Sequence, residues 1–330
     1  MPFSPPCFTL DNLNSQHSSL ISPLRSGDPR SLARAISVVE NRQRGFLDLL
    51  KALFPHTGHA RVLGLTGAPG AGKSTLVDQL AKLYRKENQT VGIIAVDPTS
   101  PYTGGAILGD RIRMQDHHSD PGIFIRSMAT RGSLGGLART TADVSTVLDA
   151  SGRDRILIET VGVGQDEVDI VRLADITVVI LVPGMGDDVQ TIKAGIMEIA
   201  DIFVINKSDR EGAERVEREI RAMQSLDIRN DGWTLPIIKT VATQGAGTKE
   251  LAAAIADYEA YLKKGNLLFQ KNVENWRDRL VEMLRDAMLE RARAQIEGPS
   301  LDRYAAEIAE HKRDPYSLVE EIVAKSGSRV

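Results

Sequence analysis

The chain has 330 residues, 42% hydrophobic and 26% charged, with a net charge of −3, which describes a globular protein of one large domain with appendages, or of two domains. That balance offers no bulk field for nucleic acid or an anionic membrane, and no apolar run reaches the ~18–20 residues that span a bilayer. Cys7 is the only cysteine, which excludes an internal disulfide framework, and a start without a basic segment and apolar core carries no secretory signal, so a cytoplasmic location is expected.

In chain order, residues 1–27 are rich in Pro, Ser and Asn and read as a disordered tail. Residues 28–60 form an N-terminal helical segment, with Leu32, Ile36, Val39, Phe46, Leu49 and Leu50 at helical spacing up to about Leu53 and Asp28-Pro29 as cap and first turn. From 61 to 264, apolar runs alternate with amphipathic stretches. The expected strands are 62–66, 91–97, 123–127, 155–160, 176–182, 201–206 and 235–241, and the expected helices include 73–88, 187–200, 211–226 and 247–262. Val/Ile runs buried on both faces and interleaved with helices imply an α/β fold, a doubly wound and mostly parallel sheet. Residues 265–330 read as a helical arm. Trp276, Leu280, Leu284, Ala287 and Met288 line one seam of its long first helix, and two shorter helices follow, about 301–312 and from Asp314-Pro315 onward. Such an apolar seam packs on the body or on a second copy.

The run Gly67-Ala68-Pro69-Gly70-Ala71-Gly72-Lys73-Ser74-Thr75 follows a strand and opens a helix. It fits the phosphate-loop pattern in the one context that gives the pattern meaning. Its glycines turn backbone N–H groups inward around a β-phosphate. Lys73 is placed to reach the β and γ oxygens, and the Ser74 hydroxyl to ligate Mg²⁺. Asn206-Lys207-Ser208-Asp209 follows another strand. A carboxylate at Asp209 accepts the paired N1–H and 2-amino donors of guanine, for which adenine has no match. Lys207 lies along the base and Asn206 braces the loops. Val241, Ala242 and Thr243 then close the base site with backbone N–H groups toward guanine O6. Glu159-Thr160-Val161-Gly162 ends a strand where a metal-holding acid is needed, and Asp97 ends another. Asp110, in a Gly-rich loop with Arg111 and Arg113 beside it, is a further acid placed for Mg²⁺.

Taken together these residues resemble the MeaB/ArgK-type GTPases, chaperones of methylmalonyl-CoA mutase built on a SIMIBI-class P-loop core. The resemblance spans about 28–325 and rests on GAPGAGKST, on AVDPTSPYTGGAILGDRIRM (95–114), on ETVGVGQ (159–165), on LVPGMGDDVQTIKAGIMEIADIFVINKSD (181–209) and on DPYSLVEEIV (314–323). It implies GTP and GDP as ligands, with Ser74, Asp97, Asp110 and Glu159 as the Mg²⁺ set. It further implies a switch at 184–193 in which Asp187, Asp188, Gln190 and Lys193 sense nucleotide and partner, and a homodimer through the C-terminal helices. The implied work is GTP hydrolysis that gates adenosylcobalamin delivery to an acyl-CoA mutase, most often methylmalonyl-CoA mutase, and protects or reactivates it. Val241-Ala242 departs from the family's usual Ser-Ala, and the N-terminal tail has no clear counterpart.

The water-positioning glutamine of small GTPases has no direct equivalent. Four positions after Glu159 stands Val163, and the nearest glutamine is Gln165. Slow unassisted hydrolysis is therefore expected, with a partner completing the site; one such missing group is worth ~10³–10⁵-fold in related systems. Three other functions are weaker fits to these residues. A metal-insertion GTPase would need a Cys/His cluster, for which the chain offers His117-His118, His56 with His59, and Cys7. A kinase for a transport component would need an acceptor pocket and a base. A scaffold would bind nucleotide without hydrolysing it.

Overall fold

The computed structural model describes residues 17–97, 120–129, 136–160, 173–184, 199–226, 232–294 and 298–327. The chain divides into two compact units, Met1–Leu267 and Leu268–Val330. In the first, three helices, α1 (Ser18–Arg25), α2 (Pro29–Glu40) and α3 (Phe46–Leu53), precede β1 (Arg61–Gly67), α4 (Lys73–Lys86), β2 (Val91–Asp97), β3 (Ile123–Ala129), α5 (Gly136–Ala150), β4 (Arg155–Glu159), β5 (Ile176–Leu181), β6 (Ile202–Asn206), α6 (Ala213–Leu226), β7 (Ile237–Thr240) and α7 (Thr248–Lys264).

The seven strands form one sheet in the order β3-β2-β4-β1-β5-β6-β7, and every pairing is parallel. The Val/Ile runs explain this. All residues of β5 and β6 are buried, which is possible only with cover on both faces. The chain crosses from β4 to β5 over the central β1, so the strand order reverses around β1, and its carboxyl end is the place where open α/β sheets bind ligands. Carboxylates at the opposite edge pin the strands. The Asp175 side chain accepts the Val62 N–H at 2.9 Å. The Asp201 carboxylate accepts the Thr177 N–H at 2.8 Å and the Tyr258 hydroxyl at 2.5 Å.

One expectation needs correction. Residues 18–25 lie within the stretch expected to be a disordered tail, yet they form α1 and bury Leu20, Ile21 and Leu24. The apolar spacing was hidden by Pro23 and the surrounding serines. The helical segment expected from Asp28 to about Leu53 consists of two helices, α2 and α3. Arg42 and Gly45 take positive φ between them, at 45° and 85°, a conformation a continuing helix cannot contain. The Asp28 cap does form, with its carboxylate accepting the Ser31 N–H at 2.7 Å. α2 and α3 pack with α5 in one core that includes Leu32, Ile36, Leu53, Val144 and Leu148. The Asp149 carboxylate ties the linker to that core by accepting the N–H groups of Gly58, His59 and Ala60. Residues 1–16 lie outside the described residues.

On α4, Tyr84 is 3% exposed, and its hydroxyl has no hydrogen-bond partner among the described residues. Burial pushes its pKa up to about 12, against the opposing pull of the Arg155 guanidinium, which lies 4.9 Å from the ring centroid. The folded protein thus keeps this proton to higher pH than the unfolded chain, which releases it near 10. The associated stability is present below pH 10 and is lost between 10 and 12, roughly 2–3 kcal/mol in all. Tyr84→Phe should abolish that loss in alkaline denaturation curves. At neutral pH it should also raise stability by about 1 kcal/mol, because it removes an unsatisfied buried hydroxyl.

The second unit carries α8 (Leu267–Arg293, whose first residue is at the boundary), α9 (Gly298–Ala309) and α10 (Pro315–Gly327). Asp314 caps α10, accepting the Ser317 N–H at 2.8 Å. Arg279 stacks on Trp276 with 4.7 Å to the ring centroid. No residue of α8 is fully buried, and on the seam read from the sequence Leu284 is 61% and Met288 71% exposed. Among the described residues no helix is long and apolar enough to cross a membrane.

Candidate nucleotide site

The site lies at the carboxyl ends of β1, β4 and β6. β1 ends in Gly67, whose φ is +144° and whose missing side chain is required by its neighbour: a Cβ there would sit 2.1 Å from the Ile180 carbonyl oxygen. The chain then turns through Gly70 and Gly72, at φ +76° and +94°, and enters α4. Left-handed glycines at this spacing are what a phosphate-binding loop uses to turn its amides toward an anion.

Lys73 opens α4 and is buried, 5% exposed. Its ammonium donates to the carbonyls of Gly67 at 2.7 Å and Ala68 at 3.1 Å, so the cation is held over the loop. Ser74 follows, and its hydroxyl donates to Glu159 Oε1 at 2.5 Å. Glu159 is 5% exposed and ends β4, beside Leu65 in the register with β1 and Ala95 in the register with β2. A hydroxyl and a carboxylate this close are hard oxygen donors carrying one negative charge, the chemistry Mg²⁺ selects. The pair therefore fits the ion. Asp97 ends β2, which neighbours β4, so its backbone reaches the same edge of the sheet.

Asn206 ends β6 and joins three segments. Its amide nitrogen donates to the Ala71 carbonyl at 2.7 Å, and its carbonyl oxygen accepts from Thr240 Oγ1 at 3.0 Å and from the Ala242 N–H at 3.1 Å. Lys207, at φ +56°, extends its ammonium to the Gly70 carbonyl at 2.7 Å. Ser208 donates through both its N–H and its hydroxyl to the Thr240 carbonyl at 3.1 Å. Asp209 is exposed. In the segment that follows β7, the Val241 N–H donates to Ala246 and the Ala242 N–H to Asn206. A guanine O6 reaching Ala242 would therefore share that amide with Asn206.

The structure thus brings Gly67 through Thr75, Glu159, Asn206, Lys207, Asp209 and Val241 through Thr243 to one edge of the sheet. Asp110, Gln165 and Lys193 lie outside the described residues, as do Arg111, Arg113, Asp187, Asp188 and Gln190. Two participants were missed from the sequence: Thr240, which orients Asn206, and Thr66, whose hydroxyl meets that of Thr160. Threonine is common in strands whether or not its hydroxyl is bonded, so the sequence carries no signal for either.

Residues 32–297 match the family described as methylmalonyl Co-A mutase-associated GTPase MeaB. The chain belongs to the MeaB family. It is 48% identical over 309 residues to a putative GTPase of Pyrococcus abyssi, covering 92% of this chain and 95% of that protein. It is 38% identical to GTPase ArgK of Escherichia coli, over 76% of this chain and 78% of the relative. The methylmalonic aciduria type A homolog of Mus musculus, a mitochondrial protein, is 34% identical over 78% of this chain and 66% of its own length. Among solved structures, one titled LAO/AO transport system kinase superposes with a TM-score of 0.71 at 26% identity, covering 96% of this chain and 99% of that one. Like other members of the MeaB family, this protein is a GTPase with a P-loop α/β core, and the edge described above is where its guanine nucleotide is expected.

Proposed function

We propose that this MeaB-family GTPase is a chaperone of an adenosylcobalamin-dependent acyl-CoA mutase, with methylmalonyl-CoA mutase as its client, and that GTP hydrolysis gates cofactor delivery and protects or reactivates that enzyme. The family match over 32–297 is the observation that carries this reading. The site supplies its chemistry. Loop amides and Lys73 hold the phosphates, and Asp209 selects guanine over adenine. Mg²⁺, when bound, would neutralise charge on the phosphates; Ser74 and Glu159 would hold it, joined by Asp97 and Asp110 as the family resemblance implies. Gln165 and Lys193 are assigned to hydrolysis and to sensing the nucleotide. Residues 61–264 form the GTPase domain, completed on one flank by the N-terminal helices, and the apolar seam of α8 in the 265–330 arm is where a second copy pairs. A switch of this kind needs a ligand that binds its two states unequally, and contacts to the γ-phosphate provide that difference.

Calorimetry with Mg²⁺ should show GTP and GDP bound and ATP at least tenfold weaker, with Asp209→Asn losing the preference for guanine. Hydrolysis should be slow alone and rise on adding a purified, cobalamin-loaded acyl-CoA mutase. Equal binding of ATP and GTP would overturn the base assignment. A GTPase rate unmoved by every such mutase tested would overturn the chaperone assignment.

A further inference from the structure

The strand ends that carry the two halves of the metal site are joined by a second, buried contact. Thr160 follows Glu159 and Thr66 precedes Gly67. Thr160 Oγ1 donates to Thr66 Oγ1 at 3.1 Å, and the two residues are 2% and 1% exposed. The Thr160 N–H extends the β1–β4 ladder by one bond, to the Leu65 carbonyl at 3.1 Å. Valine has the same shape, suits a strand as well as threonine does, and brings no polar atom into the interior. A packing role alone would thus be met by two valines.

From this arrangement we infer that the Thr66–Thr160 hydroxyl pair positions Glu159 for the metal ion. The inference rests on the reading that Ser74 and Glu159 hold Mg²⁺. The contacts close a ring. β1 leads through the phosphate loop into α4 and Ser74; Ser74 bonds Glu159 at 2.5 Å; Glu159 leads to Thr160; and Thr160 bonds back to Thr66. Glutamate has one more rotatable bond than aspartate, so a given placement of its carboxylate demands a more firmly fixed strand end. The hydroxyl pair supplies that fixity at the residue next to Glu159. Thr66 and Thr160 are positioning residues; they act through Glu159.

The test uses the full chain with Thr66→Val, Thr160→Val, the double valine variant and Thr160→Ser. Two quantities are read: stability in denaturant without ligand, and the Mg²⁺ concentration that gives half of the extra thermal stabilisation of the GDP-bound protein. Removing partners that orient a metal ligand typically weakens metal binding by ~10–100-fold. Each valine variant should therefore need at least tenfold more Mg²⁺, and Thr160→Ser should return to the wild-type value. The double variant should resemble either single one, because the two residues act as a pair. It should also fold with near wild-type stability, since both partners are replaced together, and it decides the question if a single variant folds poorly. A double valine variant with the wild-type Mg²⁺ requirement, or a serine variant as impaired as valine, overturns the inference. A wild-type protein whose GDP complex ignores Mg²⁺ overturns the metal reading itself, and the inference with it.

Discussion

Gly67→Ala should destroy the phosphate loop and destabilise the whole first unit, by about 3 kcal/mol or more when steric overlap and backbone strain are combined. The added Cβ would lie 2.1 Å from the Ile180 carbonyl oxygen, at a φ of +144° that side chains rarely adopt. Neither group can retreat easily. Gly67 is in register with Ile180 in the β1–β5 ladder, and Val178 through Leu181 pair onward with β6. Gly70→Ala is the matched control. Its φ is +76°, but a Cβ there would meet nothing within 4 Å, so only the left-handed backbone is penalised, at roughly 1–2 kcal/mol. Denaturant midpoints and GDP titrations of the two variants should separate widely. A Gly67→Ala protein with the wild-type midpoint would show that the loop accommodates a side chain by a route the register forbids.

Asn206→Ala should have the second largest effect, and it should act on binding more than its position at a strand end suggests. Asn206 is 2% exposed, and its truncation orphans the Ala71 carbonyl, the Thr240 hydroxyl and the Ala242 N–H together. A buried group left without a partner costs about 1–3 kcal/mol, and the members of one network do not relax independently. We expect a loss near 3 kcal/mol in unfolding free energy and about a hundredfold in GDP affinity, since the phosphate loop and the base loop lose their shared tie. Asn206→Asp retains the two accepted bonds but sets a carboxylate against the Ala71 carbonyl, and should fall in between. Unchanged GDP affinity in Asn206→Ala would mean that the two loops are positioned without the amide.

These variants mark what the sequence shows and what it hides. The phosphate loop is legible because its glycines and Lys73 are each demanded by backbone geometry or charge at fixed spacing. The sheet is legible because strands buried on both faces, such as Ile176–Leu181 and Ile202–Asn206, need uninterrupted apolar runs. Their ends are less so: the apolar run predicts a seventh strand over 235–241, and the strand runs Ile237–Thr240, because a ladder ends where its neighbour does, whatever the residues prefer. α1 was missed because Pro23 and short polar residues break a pattern whose apolar members, Leu20, Ile21 and Leu24, are nonetheless buried. The bonds of Thr66, Thr160 and Thr240 were hidden for a different reason. Threonine suits a strand with or without a partner for its hydroxyl, so only the spatial arrangement reveals one.

The linker fastened by Asp149 bears on how this protein can be dissected. Its carboxylate grips three successive amides just ahead of β1, and the side chains beneath α2 and α3 belong to the same core as Ile94, Val147 and Ile158 of the sheet and its covering helix. A fragment begun at Arg61 would uncover that oily flank of α5 along with the strands behind it. A nucleotide-binding fragment should therefore keep α1 to α3, and one trimmed to Arg61 should be less stable than the full chain.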